Sequence, residues 1–246
     1  MIKFFRNIRR RLLRENRFTR YLGYASGEII LVVVGILIAL QFNNWNEERV
    51  AKRELQNILN EIVLNLKLDV SNLEEEMQSM GHYIENLHKI QDFEISTPLD
   101  SLYESVNRMH DVVSFTPVDY GYAKLDQNSQ TKNLPEELTS NLAIYYNLHK
   151  RKLNNLSGAG LSEYSLNQLR EYLISYGWPI TSHSGRMRPP DKLEVLYDII
   201  QDIKFIGIVR NSEQSWLVQK SGFADARARA IKNIKLLQTY LENNYD

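Results

Sequence analysis

The stretch Ile29-Ile30-Leu31-Val32-Val33-Val34-Gly35-Ile36-Leu37-Ile38-Ala39-Leu40 decides how this chain is built. It is almost wholly aliphatic, and no charged residue occurs from Ile29 to Asn46. With its flanking turns, Tyr24 to Trp45, a helix here would reach about 33 Å at about 1.5 Å per residue. That matches a bilayer hydrocarbon core of roughly 30 Å. Arg20 and Tyr21 with Tyr24 at one end, and Trp45 at the other, sit where interfacial anchors and aromatic belts form. The sequence therefore predicts a transmembrane helix over residues 21–46. A buried core helix could be as apolar, but the arginines before it and the aromatic residues at both ends argue for lipid. A cleaved signal peptide would need a small-x-small site after the apolar run, and Gln41-Phe42-Asn43-Asn44-Trp45 has none, which favours an uncleaved signal anchor.

Charge sets the expected orientation. Lys3, Arg6, Arg9, Arg10, Arg11, Arg14, Arg17 and Arg20 face only Glu15 and Glu28 within residues 1–28, so a formally neutral chain has a head of +6 and a body of −6. Arg49, Lys52 and Arg53 follow the span. A basic head leading into an apolar run fits anionic lipid and the positive-inside rule better than nucleic acid, so no nucleic-acid partner is expected. The N-terminus is expected in the cytoplasm of a bacterial cell and the body in the periplasm, on a single-pass inner-membrane anchor. Phe5, Ile8 and Leu12 recur at helical spacing among arginines, which describes a basic amphipathic segment over residues 1–20 lying on the inner leaflet.

Two features of the span invite attention. Glu28 lies about one turn inside its cytoplasmic end, where an ionised carboxylate must be paired, hydrated or protonated, and intramembrane acids are functional candidates. Reaching the headgroups or pairing with Arg20 is the plainer reading. Gly23 and Gly27 form a GxxxG pair, and Gly35 and Ala39 continue small residues on nearly the same face, a spacing that lets two helices approach closely.

Met1-Ile2-Lys3-Phe4-Phe5-Arg6, Gly27-Glu28 with the aliphatic run to Gln41, and Asn43-Asn44-Trp45-Asn46-Glu47 together resemble an uncharacterised family of bacterial single-span membrane proteins, domain of unknown function six-zero-nine-zero. The resemblance is specific over residues 1–47 and weaker around Phe115-Thr116-Pro117 with Tyr122 and Leu125, and Tyr120 to Gln130 lacks the Ser-Gly run such proteins show. It implies the topology and a helical body, and no activity.

The body, residues 47–246, reads as all-α: a long amphipathic helix over 47–95, continuous with the span, and an antiparallel helical bundle over 97–246. Leu55, Leu59, Ile62, Leu66, Val70, Leu73, Met77, Met80, Ile84 and Leu87 recur in steps of three and four, a coiled-coil-like stripe in which Ile62 to Leu66 to Val70 reads as a stutter. Periodicity does not say whether that stripe meets a second copy or later helices of the same chain. Thr97-Pro98 with Asp100 predicts a helix start, carrying Leu99, Leu102, Val106, Met109 and Val113. Asn133 with Glu136 predicts a capping box for a helix through Leu142, Tyr145, Tyr146, Leu148 and Leu153. Gly158-Ala159-Gly160 then makes a helix–helix turn before a helix over Ser162 to Ser175. Asp191 and Glu194 cap another, expected to end near Arg210, with Phe205 to Val209 a possible short strand. Asn211 with Gln214 starts the last, with Phe223, Ala226, Ala230, Ile234, Leu237 and Leu241 as its face. The 43% of hydrophobic residues and 6 prolines suit a folded chain.

Chemistry is sparse. With no cysteine, disulfides, thiolate catalysis and Cys-type metal sites are excluded. The histidines are His82, His88, His110, His149 and His183, with neither HExxH nor His-x3-His spacing. His82, Glu85, His88 and Asp92 would assemble a metal site only by chance, since charged helix surfaces produce such spacings constantly. No GxSxG, Walker A or dinucleotide fingerprint is present. The loop His183 to Arg188 has a histidine and two arginines suited to an anion, or simply to solvent. The expectation is a non-enzymatic protein with no cofactor or metal, acting on the lipid bilayer and an unknown protein partner as scaffold, adaptor or sensor-like accessory, with a homo-oligomer through the transmembrane and long helices as an option. The rival reading makes Glu28 an intramembrane proton or ion site within a larger complex.

Overall fold

A computed structural model describes residues 18–93, 98–110, 113–149, 161–178 and 194–245. The basic segment before Phe18, the Gly158-Ala159-Gly160 turn and the His183–Arg188 loop fall outside them. The described residues are helical and include no strand. Helix α1 is Phe18–Gln91, α2 is Leu99–Asn107 with a 3-10 turn at Arg108–His110, and α3 is Tyr120–Leu125. A 3-10 turn at Thr131–Asn133 precedes α4, Glu136–Ala143, which passes into a π-helical turn at Ile144–His149. Helices α5, Leu161–Ser175, α6, Val195–Gln201, and α7, Ile203–Tyr245, complete the order. The chain divides into two compact units, residues 1–54 and 55–246.

In the first unit, α1 turns its apolar residues to the outside. From Ile29 to Leu40 the large aliphatic side chains are 46–73% exposed. Beginning near the N-terminus, α1 is the one helix among the described residues long and apolar enough to cross a membrane. It ends at Gln91, not at residue 95 as the sequence suggested, with Asp92 already in a turn.

In the second unit, the same helix buries one stripe. Leu55, Leu59, Ile62, Leu66, Leu73, Met80, Leu87 and Ile90 are all nearly inaccessible. Asp69 is also fully buried, whereas Val70 is only half-buried. Val70 nevertheless packs against the apolar cluster, in line with the stripe read from the sequence, and Asp69 beside it is the more deeply buried of the two. Met77 and Ile84 pack half-buried against the second cluster in the same way. Hydrophobicity alone pointed to the neighbouring valine.

The stripe meets α7 antiparallel. Arg227 pairs with Glu74, Lys220 approaches Gly81 and Glu213 bonds His88, so each step of seven residues along α1 is matched by seven in reverse along α7. The partner of the long helix in the body is thus a later helix of the same chain. The buried side chains form two apolar clusters. One holds Leu55 to Leu66 with Leu138, Leu142, Tyr145, Tyr146, Ala230 and Leu237. The other holds Leu73 to Ile90 with Phe115, Trp178, Phe205, Trp216 and Phe223.

Several boundaries differ from the sequence reading. Helix α4 starts after Pro135 without a side-chain cap, and the Asn133 amide donates instead to the side-chain oxygen of Gln130, so the capping box is not made. The chain does not break at Arg210–Asn211, nor is Phe205 to Val209 a strand, because α7 runs through both. The break lies at Asp202, whose carboxylate accepts the Lys204 N–H at 2.8 Å and the phenols of Tyr172 and Tyr176 at 2.8 and 3.1 Å. A carboxylate two residues before a free backbone N–H caps a helix better than an asparagine already inside one. Helix α3 was not anticipated.

Candidate functional site

Of the residues singled out in the span, Gly23, Gly27 and Gly35 have open space where a Cβ would stand. Glu28 and Ala39 are exposed. The Arg49 guanidinium lies 5.5 Å from the centre of the Trp45 ring. Tyr24 is half-buried, and the side chains of Arg20 and Tyr21 lie outside the described residues. Among the described residues no side chain packs on the glycine positions of this surface. It is a face open to lipid or to another helix.

Among the described residues no three or more His, Asp or Glu side chains gather as a metal site requires. His88 is instead 2.8 Å from Glu213, and Glu85 pairs with Lys89 at 3.2 Å. The Glu213 carboxyl is held below its ordinary range by bonds from Gln91 and His88.

The polar group that the fold has built around is Asp69. Its position, between Leu66 of one apolar cluster and Leu73 of the other, places a carboxylate at the seam of the two. One oxygen accepts the Val118 N–H at 3.0 Å and the other accepts the Tyr145 hydroxyl at 2.8 Å. Three elements are needed for this. Helix α1 brings the carboxylate, and the non-helical segment 113–119 brings the amide, being itself tied down by the Gln219 amide donating to the Val113 carbonyl at 3.0 Å. The π-helical turn brings Tyr145 and Tyr146, whose rings meet edge to face at 5.0 Å. Tyr146 also stacks on Tyr122 of α3 at 4.4 Å. A π turn widens the helix by one residue, and such turns often occur at functional positions. Helix α3 can lie this close because Gly121 carries no side chain. A Cβ there would stand 2.9 Å from Ile62 Cγ1 and 3.0 Å from the Ile62 nitrogen.

Burial dominates the electrostatics. Loss of hydration pushes the Asp69 carboxyl up from 3.8 to about 6, the two hydrogen bonds pull it back, and the Asp119 carboxylate nearby adds to the rise. Burial raises both phenols as well, with Asp69 reinforcing it, so Tyr145 and Tyr146 stay protonated and Tyr145 acts as a donor. Two further polar atoms, Asn65 Nδ2 and Tyr146 Oη, are enclosed without a hydrogen-bond partner among the described residues. The arrangement can hold and release a proton.

Sequence reasoning missed Asp69 because it followed hydrophobic residues only. The signal was present, since an aspartate at the inward position of a regular heptad stripe is costly and calls for a partner. Tyr145 and Tyr146 were read as a core face, which they are, without the carboxylate they enclose.

The model of a family of unknown function, DUF6090, matches residues 28–159. The chain belongs to this family. The match opens at Glu28 and takes in the rest of the apolar run, the Phe115–Leu125 patch and every residue of the Asp69 site. Residues 1–27, part of the block that carried the resemblance, lie outside it, as do α5, α6 and α7. No curated protein and no solved structure matches the chain.

Proposed function

We propose that this chain is an inner-membrane-anchored protein of a bacterial cell, with its N-terminus in the cytoplasm and a periplasmic helical body, that works through protein contacts as a scaffold, adaptor or sensor-like accessory. One observation carries the reading. Within α1 the aliphatic residues 29–40 are exposed all round, while from Leu55 onward most large apolar residues lie on one stripe that is buried. Exposed apolar surface on this scale is unfavourable in water by ~25 cal/mol per Å² and is relieved by lipid. The eight cations before the span, against three just after it, support the orientation. Leu64 and Leu68, 66% and 51% exposed on the outer side of α1, support contact with another protein.

Photo-crosslinkers placed in the full chain at Lys67 and Ser71, exposed beside Leu64 and Leu68, test this in native membranes. The reading requires one recurrent protein adduct that is lost when both leucines become glutamine; adducts to lipid alone, or none, contradict it. The rival reading rests on Glu28, exposed and without an ion-pair partner among the described residues. Glu28→Gln disables an intramembrane proton site and leaves an anchor working, which separates the two.

A further inference from the structure

A buried carboxylate at the junction of two apolar clusters is an expensive way to join them, and a leucine or valine would continue the stripe. Breaking or neutralising a buried polar group changes stability by far more than an exposed one, so its protonation state matters to whatever it holds. We propose that Asp69 is a proton-operated latch: loss of its proton loosens the grip of α1 on segment 113–119 and on the π-helical turn, and regaining the proton restores that grip.

The geometry supports this from each side. Asp69 is fully buried, and its two oxygens are committed to the Val118 amide and the Tyr145 hydroxyl. In the ionised form both are accepting bonds, and among the described residues no cation pairs with the remaining negative charge. From the 113–119 segment comes Asp119, a second carboxylate that opposes ionisation. From α3 comes Tyr122, stacked on Tyr146, while the Lys124 ammonium is committed to Glu61 at 2.7 Å and is exposed. The π turn contributes the phenols of Tyr145 and Tyr146. On α7, Arg227 is paired with Glu74, Arg229 with Asp225, and Lys232 donates to Asn141. On α1 itself the neighbour one turn back is the neutral Asn65.

In the protonated form the charge is gone, the carboxylic acid still accepts from the Val118 amide, and its own O–H has the Tyr145 hydroxyl oxygen, 2.8 Å away, within reach as an acceptor. A carboxyl raised from 3.8 to about 6 is the expected result of such surroundings. Protonation couples here to structure because both bonding partners lie on segments other than α1. Opening the seat exposes Asp69 to water and restores its ordinary acidity.

The test is amide hydrogen exchange with the full chain in lipid nanodiscs, corrected for intrinsic chemistry, together with carboxyl NMR of Asp69. Protection of amides 113–125 and 144–149 falls by about a hundredfold between pH 4 and pH 7, while amides of α6 do not follow. In Asp69→Asn the fall disappears. Asp119→Asn, which leaves the seat intact, moves the Asp69 titration to lower pH and serves if the first variant does not fold. A wild-type chain whose protection there is flat, an Asp69→Asn chain that keeps the full dependence, or an Asp69 carboxyl titrating near 4 would overturn the proposal.

Discussion

Asp69 concentrates the energetics at the residue scale. Its carboxyl is raised in the folded chain, from 3.8 to about 6, so the folded state binds the proton more tightly than the unfolded one. The corresponding stability is fully present below about pH 4 and is lost as pH rises through about 6; a shift of this size corresponds to roughly 3 kcal/mol. Denaturant unfolding of the full chain in nanodiscs should therefore show stability falling between pH 4 and pH 7. Asp69→Asn should lose that fall and be more stable than wild type at pH 7.5, by about 1–3 kcal/mol. Gly121 provides a second test. Gly121→Ala forces a Cβ against the Ile62 side chain and backbone and should cost about 1–3 kcal/mol by thermal unfolding. Gly207→Ala, in the second turn of α7 with nothing within 4 Å of its Cβ, should instead gain about 0.5–1 kcal/mol.

Elements are held by what they bury rather than by their surface charges. Phe223 on α7 is fully buried and packs on Phe115 at 5.9 Å, so Phe223→Ala should cost about 3–5 kcal/mol. Glu74→Ala removes the exposed pair with Arg227 and should cost less than about 1 kcal/mol. Equilibrium unfolding of the two variants side by side checks this ranking. The same contrast explains which elements were legible in the sequence. The long helix and the buried face of α7 announce themselves through dozens of residues of apolar spacing. Helix α3 has six residues, too few for a period, and it exists because Gly121 lets it sit on Ile62, a tertiary cause. The false break at Asn211 and the missed one at Asp202 have one origin. Cap-like residues recur along polar helix faces, and only the Tyr172 and Tyr176 phenols gathered on Asp202 show which is used. The candidate site was illegible for a related reason, since its members come from residues 69, 118 and 145, and their meeting is written in the fold rather than in any spacing.

For the molecule as a whole, the two units obey different solvents. Across residues 29–40 the physics is that of a helix whose large apolar side chains are exposed, and a bilayer is an environment that accepts them. In residues 55–246 the chain meets its own apolar surface, two clusters joined at a carboxylate. Membership in a family of unknown function covers both kinds of segment, from Glu28 to residue 159. The account stands on the anchor and its direction. Paired fusions at Asp246, one to alkaline phosphatase and one to a green fluorescent protein, examine that most directly. It predicts phosphatase activity with no fluorescence, in a membrane fraction resistant to carbonate washing; fluorescence without phosphatase activity, or a chain released by carbonate, would contradict it.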